Sequence, residues 1–352
     1  MVDLRQLGWD DAWAATLRDP ELTPARVVSE GKNYYTVVAD DGDHLARAAG
    51  RMLHRRRADA DLPKVGDWVG VRRVPHDGRV VIETVLPRRT WLARKIPGRE
   101  TEAQILGTNM DVVFVVQALD ATFNLRRLER FLVMVHEGCA GPVVVLNKAD
   151  LCGDVPARRA EAQAAAGEVT VLTACALTGS GMGDLRKFTG PGRTVAFVGT
   201  SGVGKSSLIN RLAGEEVQAT LEVRESDAKG RHSTTSRELI PLPGGGVVMD
   251  TPGMREFHMW TAEEGFGEAF PDIQSLAAGC HFRDCSHVGE KDCAVLAALA
   301  GGRLERPRYD SFQKLRRELA TTGRRRREHD FQMRKRRAKQ GTRAWLDPGL
   351  PE

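Results

Sequence analysis

The segment Thr194-Val-Ala-Phe-Val198-Gly199-Thr-Ser-Gly-Val-Gly204-Lys205-Ser206-Ser207 runs from an apolar strand through a glycine-rich turn into a helical run opening on Leu208 and Ile209. It carries the spacing of a phosphate loop in the strand–loop–helix context that phosphate chemistry requires. Along Gly199, Thr200, Ser201, Gly202, Val203 and Gly204 the glycines let successive N–H groups face a β-phosphate, and the helix N-terminus adds a favourable dipole. Lys205 is expected to reach the β- and γ-phosphates as a catalytic cation, with Ser206 binding Mg²⁺ through its hydroxyl and Ser207 completing the nucleotide-binding run.

Moving outward, Asn147-Lys148-Ala149-Asp150 follows the apolar strand Val143–Leu146. A carboxylate at Asp150 can accept from guanine N1–H and the exocyclic amine together, which adenine cannot offer, so the expected nucleotide is GTP rather than ATP. Asn147 can brace the phosphate loop, and the Lys148 stem can lie along the base plane. Cys175-Ala176-Leu177 falls where GTPases usually carry Ser-Ala-Lys, with a backbone N–H for guanine O6. Beyond the phosphate loop, Asp250-Thr-Pro-Gly253 ends the run Val247–Met249, placing Asp250 to hold the Mg²⁺ shell and the Gly253 N–H to meet the γ-phosphate. Between them, Gly230-Arg-His232-Ser-Thr234-Thr235 reads as a switch loop, with Thr235 the expected third Mg²⁺ ligand and Thr234 its neighbouring rival. Met254 occupies the position where Ras-like sites carry a water-orienting glutamine, which leaves His232 as the nearest candidate for that catalytic role.

The order of these motifs decides the topology. Base reader at 147, its partner at 175, phosphate loop at 199, switch at 230 and metal aspartate at 250 form a circularly permuted GTPase, in which the same sheet is rejoined through different ends. From Asp111 onward strands alternate with helical stretches, as a parallel α/β sheet requires. Upstream, Arg26–Ser29, Tyr34–Ala39, Leu45–Leu53, Trp68–Val74 and Arg79–Leu86 read as five short strands of an oligonucleotide-binding type barrel. Tyr34, Tyr35, Trp68 and Trp91 are readable either as base-stacking groups or as barrel core. Downstream, Cys280, Cys285, His287 and Cys293 make a complete Cys₃His set for one structural Zn²⁺, with His281 a rival whose adjacency to Cys280 makes joint chelation awkward. The expected division is an N-terminal extension (1–24) with a short helix, the barrel (25–98), the permuted GTPase domain (99–260), a helical zinc-binding domain (261–322) and a basic tail (323–352).

Charge and hydropathy bound the partners. The net charge of +5 conceals 15 Lys/Arg against 5 Asp/Glu in residues 303–339 and 14 against 6 in residues 45–100. Two basic regions around an acidic middle suggest a polyanion gripped by the ends, with the tail past residue 324 ordered only on binding. The longest apolar runs are strand-length, which excludes a transmembrane helix. The acidic N-terminus lacks the pattern of a secretory leader, and the cytoplasm is the expected address.

On these residues, together with Gly66-Asp67-Trp68-Val69, Gln104-Ile-Leu-Gly-Thr-Asn109-Met-Asp111 and Gly230-Arg-His232, the chain resembles the RsgA (YjeQ) family of circularly permuted GTPases. The resemblance spans about residues 25–318. It implies a factor that docks on 16S rRNA in the 30S ribosomal subunit, hydrolyses GTP to GDP during late small-subunit maturation, and is stimulated by the subunit. A monomer is expected. Ser233 stands where the family often has threonine, and the extension and the Arg-rich tail have no counterpart to carry over.

Overall fold

The computed structural model describes residues 2–55, 59–74, 79–96, 99–214, 238–250, 263–321 and 323–324. Five strands near the N-terminus close a barrel: β1 (Thr23–Glu30), β2 (Tyr35–Ala39), β3 (Gly42–Ala48), β4 (Trp68–Arg73) and β5 (Val80–Val85). They pair in the order β1-β2-β3-β5-β4, and β4 returns to β1 to seal the ring, with β3 and β5 parallel. Ala25, Val27, Val37, Val69, Val71 and Ile82 fill its interior, with Tyr35 beside them. Tyr35 is therefore barrel core, Trp68 is buried in a separate cluster with Leu4 and Trp13, and Tyr34 stands 47% exposed.

The third strand is shorter than its apolar pattern suggests. Leu45–Leu53 does not run through as a strand: β3 stops at Ala48 and a helix, α2 (Gly50–Arg55), takes over. The Ala49 N–H donates to the Ile82 carbonyl, and the Ala49 carbonyl accepts from the N–H groups of Met52 and Leu53. That carbonyl starts the helical ladder, so tertiary pairing overrides the alternation.

The extension folds onto this barrel. A short helix, α1 (Asp11–Thr16), is capped by the Asp10 carboxylate accepting from Trp13 N–H, the usual job of an N-cap acid. Trp9 and Trp13 pack on Trp68 with ring centroids 4.9 and 6.5 Å away. Arg89 grips Asp10 through both terminal guanidinium nitrogens and holds its carboxyl down at about 2.

A hairpin of β6 (Trp91–Ile96) and β7 (Arg99–Thr108) then leads into a sheet ordered β10-β9-β8-β11-β13-β12. Here β8 is Val112–Ala118, β9 Gly141–Asn147, β10 Val171–Thr173, β11 Thr194–Val198, β12 Glu238–Pro241 and β13 Val247–Asp250. All neighbours pair parallel except β12 with β13. Both faces are buried, so the strands read as unbroken apolar runs. Helices α3 (Leu125–Glu137) and α4 (Val155–Ala166) cover one face, while α5 (Met182–Arg186) and α6 (Lys205–Ala213) cover the other. Ser29 of β1 pairs with Glu238 of β12, so barrel and sheet form one continuous eleven-stranded surface.

The C-terminal elements are α7 (Glu263–Ala269), α8 (Pro271–Ala277), α9 (Ala294–Ala300) and α10 (306–321). Gly265 lies so close to the α3 backbone that a Cβ there would strike the Val133 carbonyl and the Glu137 N–H. Arg308 of α10 donates to Glu129 Oε1 at 2.7 Å, to both Asp272 oxygens and to the carbonyls of Ala165 and Ala269. Glu129 is 4% exposed and also accepts from the Ser311 hydroxyl. A buried charge so fully partnered fixes α10 on α3 and α4.

Candidate functional site

In a parallel sheet every strand delivers its C-terminal end to one edge, which is where open α/β folds bind ligands. Here that edge gathers Asp120 after β8, Asn147 at the end of β9, Cys175 after β10, Gly199 after β11 and Asp250 closing β13. A cleft of about 910 Å³ opens there, bounded by Asn147, Lys148, Asp150, Cys175, Gly204 and Ser207 among others. Three motifs, at 147–150, 175–177 and the phosphate loop, thus face one space, and Asp250 closes a strand at the same sheet edge.

The phosphate-loop segment turns through left-handed backbone at Gly202 (φ 82°) and Gly204 (φ 94°) before α6 begins at Lys205. At Gly204 a side chain is excluded twice over, since a Cβ would overlap Asn147 Nδ2. Gly199 is equally constrained, with the Val116 carbonyl 2.5 Å from its Cβ position. Lys205 Nζ lies 2.8 Å from the carbonyls of both Gly199 and Thr200, on the loop it follows.

Asn147 is 1% exposed and ties two segments together. Its Nδ2 donates to the Val203 carbonyl at 2.8 Å, and its Oδ1 accepts from the Ala176 N–H at 3.1 Å. Lys148, in left-handed backbone at φ 60°, sends its ammonium to Asp120 Oδ2 at 3.0 Å. Burial works against the ionised Asp120, but hydrogen bonds from Thr122 and then Lys148 outweigh it and lower its pKa. The Cys175 thiol donates to Asp150 Oδ1 at 2.9 Å, so the residue that departs from the usual serine still holds the carboxylate. Asp250 takes its place in β13; Thr235, its neighbour Thr234, His232, Gly253 and Met254 lie outside the described residues.

The second cluster lies in the C-terminal elements. The ligand atoms of Cys280, Cys285, His287 and Cys293 all fall within 4.8 Å of one another. Zn–S and Zn–N bonds of about 2.3 and 2.0 Å at tetrahedral angles separate neighbouring ligand atoms by roughly 3.5–3.8 Å. Cys280 Sγ is 3.9 Å from Cys293 Sγ and 3.6 Å from His287 Nδ1, and Cys293 Sγ is 3.5 Å from that nitrogen. The donor set fits zinc, through His287 Nδ1. His281 is not in the cluster and packs edge-on against Phe282. Burial, then Arg316, lowers the His287 pKa and favours the neutral ring that ligates metal. Burial pushes the Cys285 thiol up to about 11, while at Cys280 the N–H groups of Val295 and Ala294 overcome burial and lower it.

The loop between the ligands is braced independently of them. Glu290 accepts from the Ser286 hydroxyl and from the N–H groups of Ser286, Val288 and Gly289, and these bonds hold it far below the usual carboxylate range. Tyr309 and Gln313 donate to the His287 carbonyl from α10.

The RsgA GTPase family model matches residues 85–260. A small ribosomal subunit biogenesis GTPase RsgA of Opitutus terrae is 44% identical over 336 residues, covering 92% of each chain. The chain belongs to the RsgA GTPase family. A second RsgA, from Syntrophotalea carbinolica, is 41% identical over 331 residues, 91% of this chain and 90% of its own. The crystal structure of YjeQ from Thermotoga maritima superposes with a TM-score of 0.64 at 28% identity, covering 85% of this chain and 99% of that one. YloQ, a circularly permuted GTPase, shares the fold at a TM-score of 0.61 and 24% identity. As an RsgA-family protein the chain is a GTP-hydrolysing enzyme. Two residues lining this RsgA-family cleft, Arg186 and Arg211, and Asp120, the partner of Lys148, escaped the motif reading. Asp120 could have been found as an acid just past a strand end, whereas nothing in the sequence marks Arg186 and Arg211, whose partners are backbone carbonyls.

Proposed function

We propose that this chain binds GTP with Mg²⁺ in the sheet-edge cleft and hydrolyses it while bound to the 30S subunit late in small-subunit maturation. Asp150 reads the guanine edge, Asn147 and Ala176 frame the base, and Gly199 to Gly204 wrap the phosphates with Lys205. Ser206, Thr235 and Asp250 hold Mg²⁺. The observation that carries this reading is the convergence of four separated motifs on one sheet edge, in permuted order. Magnesium neutralises charge developing on the transferred phosphoryl group. Zinc, held by Cys280, Cys285, His287 and Cys293, is structural, because four protein ligands leave no open position.

Binding to 16S rRNA is supported by the names of the relatives, small ribosomal subunit biogenesis GTPases, and by charge. Lys32, Tyr34, Arg47, Arg72 and Arg73 are exposed on the barrel, an arrangement suited to phosphates and an occasional stacked base. No helix among the described residues is long and apolar enough to cross a membrane. The chain acts as a monomer in the cytoplasm.

Met254 cannot orient water, so turnover by the free protein is slow, and His232 supplies the missing group once the subunit is bound. GTP turnover with and without 30S subunits tests this. Stimulation of at least about tenfold is expected, a modest share of what a supplied catalytic group can give. Equal rates with and without subunits contradict the reading.

A further inference from the structure

Resting on the guanine reading above, we infer that Arg211 sets base specificity from outside the base contacts, by strapping the base-reading loop to the phosphate-loop helix. Arg211 lies in the last turn of α6, whose first residue is Lys205. Its Nε donates to the Ala176 carbonyl at 2.9 Å and its Nη2 to the Leu177 carbonyl at 2.7 Å. The bond is reciprocated: Arg186, at the end of the helix that follows the base loop, donates from Nη2 to the Arg211 carbonyl at 3.1 Å. Two guanidinium groups thus cross between the segments, each landing on the other segment's backbone.

The geometry gives this strap a job distinct from that of Asn147. Asn147 joins the base loop to the phosphate loop at Val203, two residues before α6 begins, and lies in the base contact itself. Arg211 secures the same loop six residues beyond Lys205 along α6, about 9 Å from the helix start at 1.5 Å per residue. Anchored at both ends of one rigid helix, residues 176–177 keep the Leu177 N–H at a fixed distance from the phosphates, the Ala176 N–H being engaged by Asn147 Oδ1. A nucleotide held by its phosphates then presents O6 to a donor that cannot retreat. Pre-organisation of this kind strengthens binding without adding a contact. The planar fork of arginine reaches two successive carbonyls at once, which an ammonium cannot do from one position. Because the strap acts on the O6 donor, its effect belongs to nucleotides that carry O6. Arg211 is accordingly a positioning residue rather than a catalytic one.

The test compares GDP with 2-aminopurine riboside diphosphate, which keeps the ribose, both phosphates and the 2-amino group but lacks O6 and N1–H. Affinities are measured by calorimetry for the full-length protein and for Arg211→Ala and Arg211→Lys. Asp150 loses the N1–H in every variant alike, so that loss cancels in the variant-to-wild-type ratio. Arg211→Ala should lower GDP affinity roughly five- to tenfold, the value of one to two net hydrogen bonds, and leave the analogue within about twofold. Arg211→Lys should recover only part of the loss. Equal losses for both nucleotides, or complete recovery by lysine, would overturn the inference, pointing to phosphate electrostatics or general stability instead. If the wild type itself fails to prefer GDP, the O6 reading at residues 176–177 fails and the inference falls with it. A wild-type preference that Arg211→Ala leaves intact sinks the strap alone.

Discussion

Replacing Gly204 with alanine loads the nucleotide site at its tightest point. Gly204 has φ 94°, where an L-residue costs roughly 1–2 kcal/mol. The new methyl would also overlap Asn147 Nδ2, a buried atom backed by its bond to the Val203 carbonyl. If Asn147 swings away, it forfeits that bond and the one it accepts from the Ala176 N–H, at about 1 kcal/mol net each. The sum, roughly 3–4 kcal/mol, falls on the conformation that binds nucleotide, so GDP affinity should drop by about two to three powers of ten. Titration with a fluorescent GDP reads the loss, and a far-UV melt confirms that the chain still folds. Gly153→Ala is the control, because its Cβ would meet nothing within 4 Å and its φ is not in the left-handed region. A Gly204→Ala protein that binds GDP within about threefold of wild type would refute the packing of Asn147 against the loop as the reason for glycine there.

Asp150→Asn should weaken GTP and favour xanthosine triphosphate, because an amide donor then faces the carbonyl that replaces guanine's amine; unchanged GTP affinity in competition binding would remove Asp150 from the base contact. One zinc per chain is expected by elemental analysis of protein purified without chelator, and Cys285→Ser or chelation should loosen residues 280–293 to protease while GDP binding persists. Arg308→Met leaves Glu129 charged and buried beside Ser311, a loss of about 3–5 kcal/mol. A lower melting temperature should follow, and Arg308→Lys should not restore it, because one ammonium cannot serve Glu129, Asp272 and two carbonyls together. Affinity for 30S subunits should fall steeply with salt, and removing residues 324–352 should lower the log–log slope by roughly 0.7–0.9 for each phosphate that the tail neutralises; a salt-independent affinity would assign the basic segments some other work.

The nucleotide motifs were legible because their chemistry is local: a phosphate loop needs its glycines and lysine at fixed spacing, and a strand before it is an apolar run. The cysteine spacing was legible for the same reason, although the choice of His287 over His281 rests on which ring the loop turns inward. Alternation located the barrel but misjudged β3, since the stop at Ala48 depends on Ile82 accepting from Ala49, a partner 33 residues on. The extension showed its short helix but not its role, because that role is the Trp9–Trp13–Trp68 cluster and the Asp10–Arg89 pair, both made across the fold. Nothing in the sequence singles out Glu129; only α10, arriving almost 180 residues later, makes it a buried anchor. What spacing cannot encode is which distant side chain or carbonyl will stand opposite.

The bridge between Ser29 and Glu238 also imposes a schedule on synthesis. Every strand of the barrel has been made by Val85, so the barrel can close while the sheet is still being translated. Its seam to the sheet must wait until more than two hundred further residues have followed Ser29. The permuted order staggers the cleft too: residues 147–176 leave the ribosome before the loop at 199–204, and Asp250 comes later still. A nascent chain can therefore close its barrel long before it can hold a nucleotide, and the seam to the sheet waits for β12, with the docking of α10 on α3 and α4 later still.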